Sequence, residues 1–159
     1  MNKSNAARLI AAIFVCQLAG IVGSVFTVPA ISGWYGTIQK PLFNPPNWVF
    51  APVWTMLFLL MGISLYIVWS RGLESKKAKI AVSAFGVQLA LNIIWSLLFF
   101  GLQSPLLAFA EIILLWIAIF ATMALFYRIS RKAGLLLAPY LLWVSFAAFL
   151  NYSVWMLNA

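Results

Sequence analysis

Indole rings and side-chain amides are the groups in this sequence whose types and spacing can do chemistry. There are eight tryptophans among 159 residues. Trp48, Trp69 and Trp155, with Tyr127, fall at the ends of long apolar stretches, where amphipathic rings anchor at headgroup level. Trp54, Trp95, Trp116 and Trp143 fall deeper, where an indole N–H needs a partner that hydrocarbon cannot supply. Conventional reaction machinery is missing: there is no histidine, and the only acids are Glu74 and Glu111. Acid–base pairs, nucleophile triads and metal-ligand clusters therefore cannot be assembled, and histidine-ligated haem is excluded. Glu111 lies near one end of its apolar stretch, from which a carboxyl is expected to reach the interface in a structural role. Cys16 falls mid-stretch and reads as a small buried hydrophobe.

Helical spacing gathers these groups onto faces. Gln88, Asn92, Trp95 or Ser96, and Phe99 recur at intervals of three or four; so do Tyr140, Trp143, Ala147, Leu150 or Asn151, and Val154; so do Asn47, Ala51, Trp54, Phe58 and Met61. Each face carries aromatics with a small residue or an amide. The pattern suits an apolar pocket with a few orienting polar groups and equally a packed aromatic core with interhelical amide bonds.

The elements that must position these faces are membrane helices. Hydrophobic residues make up 65% of the chain, charged residues 8%, and the mean hydropathy is +1.05. Five stretches reach the roughly 20 residues needed to cross a hydrocarbon core: Leu9–Thr27, Trp48–Trp69, Ile80–Leu102, Leu106–Tyr127 and Leu135–Leu157. Ten-residue segments of alternating polarity, the mark of a membrane β-barrel, are absent. The fold class is thus all-α, a five-transmembrane-helix bundle forming a single domain over residues 1–159. The first apolar run is too long for a secretory signal core and reads as a mature helix.

A net charge of +8 would suggest nucleic acid in a soluble protein, but the cations sit at span ends. Lys3, Arg8, Arg71, Lys76, Lys77, Lys79, Arg128, Arg131 and Lys132 flank one side, and Lys40 alone the other. That bias predicts a cytoplasmic N-terminus, an exterior C-terminus and anionic lipid headgroups as the electrostatic partner, with no role for nucleic acid. Gln103-Ser104-Pro105 reads as a tight hairpin, with Pro105 in a first turn. The first loop, 29–47, is long, aromatic and rich in proline, which favours an ordered lid across the bundle mouth, and Asn47 after Pro45-Pro46 reads as an N-cap.

Three runs carry a resemblance: WYGTIQKPLFNPPNWVFAPVWTMLFLLMG (Trp34–Gly62), QLALNIIWSLLFFG (Gln88–Gly101) and PYLLWVSFAAFLNYSVW (Pro139–Trp155). In this order they resemble the tryptophan-rich sensory protein/translocator protein family (TspO/MBR, peripheral benzodiazepine receptor-like). The resemblance implies a five-helix bundle, commonly a homodimer, with a cavity under the first loop that takes tetrapyrroles such as protoporphyrin IX or haem, sterols and benzodiazepine-type ligands. Carried over by motif position, the ligand-binding residues are Tyr35, Trp54, Asn92, Trp95, Trp143, Ala147 and Leu150. It further implies that Trp54 and Trp143 are the catalytic pair in members that degrade protoporphyrin in light. The basic residue that completes the animal cholesterol motif is missing after Tyr152, so sterol recognition is not implied here.

The expected function is therefore a receptor-like membrane protein binding tetrapyrroles, with no cofactor required. Stacking on Trp and Tyr would supply affinity, Asn92 and Gln88 would orient polar edges, and outer-side donors such as Lys40 or backbone N–H groups would meet propionates. A light-dependent porphyrin-degrading enzyme and a transporter of tetrapyrroles or lipids are the alternatives. Close-packing stripes for a homodimer are expected at Ala12, Cys16, Gly20 and Ser24, and at Gly86 and Ala90.

Overall fold

The computed structural model describes residues 3–159; Met1, Asn2 and the side chain of Lys3 lie outside it. The described residues form α1 (Lys3–Ser32), α2 (Trp34–Thr37), α3 (Asn47–Ser70), α4 (Lys76–Ser96), α5 (Pro105–Ile129), α6 (Arg131–Leu136) and α7 (Ala138–Leu157). A π-helical turn, Leu97–Gly101, continues α4. Five helical segments are long and apolar enough to cross a membrane, the last being α6 and α7 run together.

Local chemistry explains the boundaries. Ser75 caps α4 by accepting the Ala78 N–H at 3.1 Å, and Ser104 caps α5 by accepting that of Leu107 at 3.5 Å. Pro105 occupies the first turn of α5, and Gln103 turns the hairpin with φ of 52°. Two expectations change. α1 runs through Pro29 to Ser32, because one missing N–H is tolerated at the last turn of a helix already thirty residues long. The first connection is accordingly shorter and holds the small helix α2. Asn47 lies inside α3, and Pro46, extended at ψ of 143°, occupies the cap position with no side-chain cap.

α1 packs between α3 and α4, while α5 lies against α4, α6 and α7. The bundle closes at the basic end, where α6 meets α3 and Ser64 Oγ donates to the Ala133 carbonyl at 2.8 Å. Arg71 also donates there to the carbonyl of Ile129. Close approach is bought by glycine: a Cβ on Gly62 would lie 2.6 Å from Ile13 Cα, and one on Gly134 would lie 2.7 Å from Tyr127 Cα. The core between the helices includes Cys16, Met61, Phe85, Ile112, Leu115, Phe126 and Tyr140.

Glu111 departs from its expected place. It stands six residues past Pro105, about 9 Å along the axis, on the face shared with Ala108, Ile112 and Leu115. Its side chain is buried and neither carboxyl oxygen has a partner among the described residues. The small stripe of α1 also faces inward: Ala12 and Cys16 are buried in the protomer and Gly20 abuts Phe58. Gly86 and Ala90 on α4 remain on the outer surface, and nothing lies within 4 Å of a Gly86 Cβ.

Gly62→Ala should lower stability by about 1–3 kcal/mol, the usual cost of overpacking, because rigid backbone opposes the new methyl. Gly86→Ala should not destabilise. Thermal unfolding of both variants in one detergent tests the contrast; equal melting temperatures would refute the assigned contact.

Candidate functional site

A cavity of about 340 Å³ occupies the half of the bundle beneath the first loop. α1, α3, α4 with its π turn, and α7 supply the walls, and α2 supplies Tyr35 above. All seven residues singled out for ligand contact, Tyr35, Trp54, Asn92, Trp95, Trp143, Ala147 and Leu150, line it. The three helical faces therefore converge, but only over their loop-side halves. Gln88, Met61 and Tyr140 continue those faces below the cavity into the core.

The aromatic walls are locked by one another. Trp95 stacks on Phe99 with centroids 5.2 Å apart, and Phe50 meets Trp143 edge-on at 6.1 Å. Trp54 lies against Phe58 at 5.6 Å and Tyr140 at 6.2 Å. Polar groups are anchored as well. Trp95 Nε1 donates to Asn151 Oδ1 at 3.1 Å, and Asn151 Nδ2 donates to the Pro105 carbonyl at 2.8 Å. Asn92 Nδ2 donates to the Tyr140 hydroxyl at 3.0 Å. Trp116, by contrast, donates to Ser145 Oγ at 2.8 Å away from the cavity. Among the hydrogen bonds of the described residues, none uses the indole N–H of Trp54 or Trp143, both of which line the cavity.

The loop forms a fastened roof. Tyr35 is buried against Phe99 and Phe100, and its hydroxyl donates to Asn44 Oδ1 at 2.8 Å. Burial raises the Tyr35 phenol above its ordinary pKa, which keeps that hydroxyl a donor. Lys40 Nζ donates to the carbonyls of Tyr35 at 2.6 Å and Ile38 at 2.9 Å, and stands 4.8 Å from the Tyr35 ring centroid. Asn158 grips the loop from the end of α7, accepting from Gln39 N at 3.0 Å and donating to its carbonyl at 2.9 Å. Phe43 stacks on Phe149, centroids 5.1 Å apart.

Two expected roles change with this geometry. Lys40 is engaged by loop carbonyls, because an ammonium brought down over a ring must replace its lost water with nearby acceptors. Gln88 does not line the cavity; it is buried below, and neither amide atom has a partner among the described residues. Other lining residues had no clear signal in the sequence. Phe100, within the π turn, lines the cavity beside Phe99. The α1 wall includes Gly20, Gly23 and Ser24, and a Cβ on Gly23 would stand 3.1 Å from Ser96 Oγ. The glycine spacing was visible, but not which neighbour it admits.

Comparison with known proteins agrees with this architecture. The chain is 47% identical over 158 residues to the tryptophan-rich protein TspO of Chlorobaculum tepidum, covering 99% of both chains. It is 39% identical over 151 residues to the protein CrtK of Rhodobacter capsulatus, covering 94% of this chain and 92% of that one. It is 39% identical over 140 residues to the human translocator protein, covering 87% and 83%. A family model matches residues 12–156, and with five membrane-spanning helices around a tryptophan-lined cavity this integral membrane protein belongs to the TspO/MBR family.

Proposed function

We propose that the cavity binds a tetrapyrrole, protoporphyrin IX or haem, and that the protein acts as a membrane receptor for it. The observation that carries this reading is a roofed aromatic cavity lined by two tryptophans, on α3 and on α7, whose indole N–H groups have no hydrogen bond among the described residues. Its volume of about 340 Å³ is at the lower end of the range of about 300–1,000 Å³ common for small-molecule sites, so a macrocycle would extend it. Planar rings suit walls already arranged by stacking, and carbonyl or carboxylate edges suit the Trp54 and Trp143 donors. Asn92, held by Tyr140, is a further polar point of orientation.

A second reading is favoured by the same pair: Trp54 and Trp143 would reduce a photo-oxidised porphyrin, making the protein a light-dependent porphyrin-degrading enzyme. Transport of the ligand is the third. Trp54→Phe and Trp143→Phe separate the first two, since Phe keeps most of the stacking area but is a far poorer electron donor. Each variant should bind protoporphyrin IX within about tenfold of the parent, about 1.4 kcal/mol. Product formation in light should collapse if the indoles donate electrons. Light-independent binding with no product from the parent supports the receptor, protein-dependent flux across liposomes supports the carrier, and a parent that fails to bind overturns the ligand.

The proposed orientation puts the basic end in the cytoplasm and the roof outside the cell membrane. Thr37→Cys and Glu74→Cys, at opposite ends of the bundle, should react with an impermeant maleimide from opposite sides of intact cells; reaction from one side refutes it. For the homodimer we propose the α4 surface at Gly86 and Ala90, since the α1 stripe is occupied within the protomer. Gly86→Leu should reduce cross-linked dimer at unchanged expression, and no reduction would remove α4 from the interface.

A further inference from the structure

The cavity has two candidate openings, and they differ in construction. Toward water it is shut: Tyr35, the Lys40 clasp and the paired hydrogen bonds of Gln39 with Asn158 fasten the roof to the bundle. Between α1 and α3 the two halves of the contact are unlike. In the half away from the roof the helices are in tight apposition, through Gly62 on Ile13 and Gly20 on Phe58. Gln17 Nε2, donating to the Thr55 carbonyl at 3.0 Å, is the last bond across the seam. Nearer the roof both helices contribute residues that line the cavity and are also exposed. Ile21 and Val28 on α1 are 60% and 65% exposed, and Ala51 and Thr55 on α3 are exposed as well. On the opposite side Leu150 and Asn151 are buried, Trp143 and Ala147 are half-buried, and Phe50 meets Trp143 edge-on.

A residue that both lines a cavity and is open to its surroundings stands at a mouth. This mouth lies within the span of two membrane helices, so what it faces is hydrocarbon. The hydroxyls of its rim are compatible with lipid: Ser24, Thr27 and Thr55 each return theirs to a carbonyl of their own helix, at 2.6, 3.1 and 2.9 Å.

We propose that the cavity is loaded sideways from the bilayer, through this mouth between α1 and α3, while the roof stays fastened. The ligands admitted are then membrane-partitioned amphiphiles, whose flat apolar body enters first and whose acidic groups trail toward the interface. That such a ligand is a porphyrin rests on the preceding reading; the mouth itself does not.

The test uses full-length protein in phosphatidylcholine vesicles. Stearic acid carrying a mid-chain diazirine is photolysed in the bilayer, and labelled residues are mapped by mass spectrometry. Label is expected on cavity residues Ser96 and Phe99 as well as on the lipid-facing Val87. Ser24→Trp and Ala51→Trp, each filling the mouth from one helix, should remove the cavity label and leave the Val87 label intact. The same variants should slow association of vesicle-borne protoporphyrin IX by about tenfold, the scale on which an obstructed approach changes on-rates within one binding system. Gln39→Cys with Asn158→Cys, joined by a short bifunctional thiol reagent, should load at the parental rate. An unlabelled cavity beside a labelled Val87, plugs without effect, or loading stopped by the cross-linked roof would each overturn the proposal. Photolabelling as expected in a parent that does not bind porphyrin would uphold the mouth and remove only the choice of ligand.

Discussion

The place where Gly62 lies against the backbone of Ile13 sets the rest of the molecule. A helix pair in lipid gains nothing from hiding apolar surface, since the solvent is itself apolar, and is held by contact and by the few polar bonds available. The absence of one side chain lets α1 and α3 touch backbone to backbone in the half away from the roof. Phe58 fills the next level against Gly20, and above it the helices are separated by empty space. The cavity is what remains when two helices are pinned at one end and kept apart at the other by rings.

Keeping those rings apart requires that the polar groups among them be satisfied without water. The relay from Trp95 through Asn151 to the Pro105 carbonyl does this for one indole while fastening α4, α7 and the start of α5 together. Asn92 with Tyr140 repeats the device one turn lower. These bonds take up groups that would otherwise collapse onto one another.

Much of this was legible in the sequence, and the failures follow a pattern. Spans were readable because about 20 apolar residues in a row have one physical meaning, and the three cavity-facing stripes because a helix repeats every 3.6 residues. Periodicity carries no depth, however. It placed Gln88 and Asn92 on one face without revealing that the cavity ends between them. Nor does it register competition for a group: Lys40 looked free because its carbonyl partners, Tyr35 and Ile38, are close in sequence but become acceptors only when α2 turns the loop back. Glu111 misled for a related reason, since nearness to a helix end says nothing of which face the side chain leaves by.

The π turn at Leu97–Gly101 has a consequence of another kind. Within an otherwise α-helical segment it amounts to one surplus residue, held where the helix is about to end in the hairpin at Gln103. A single-residue deletion inside an ordinary helix rotates everything beyond it by about 100°. Here the same loss can be absorbed by relaxing five residues to α-helical geometry, leaving the hairpin and α5 in place. The register of the cavity wall is thus tolerant of a change in chain length at one point, while the hairpin and α5 keep their place.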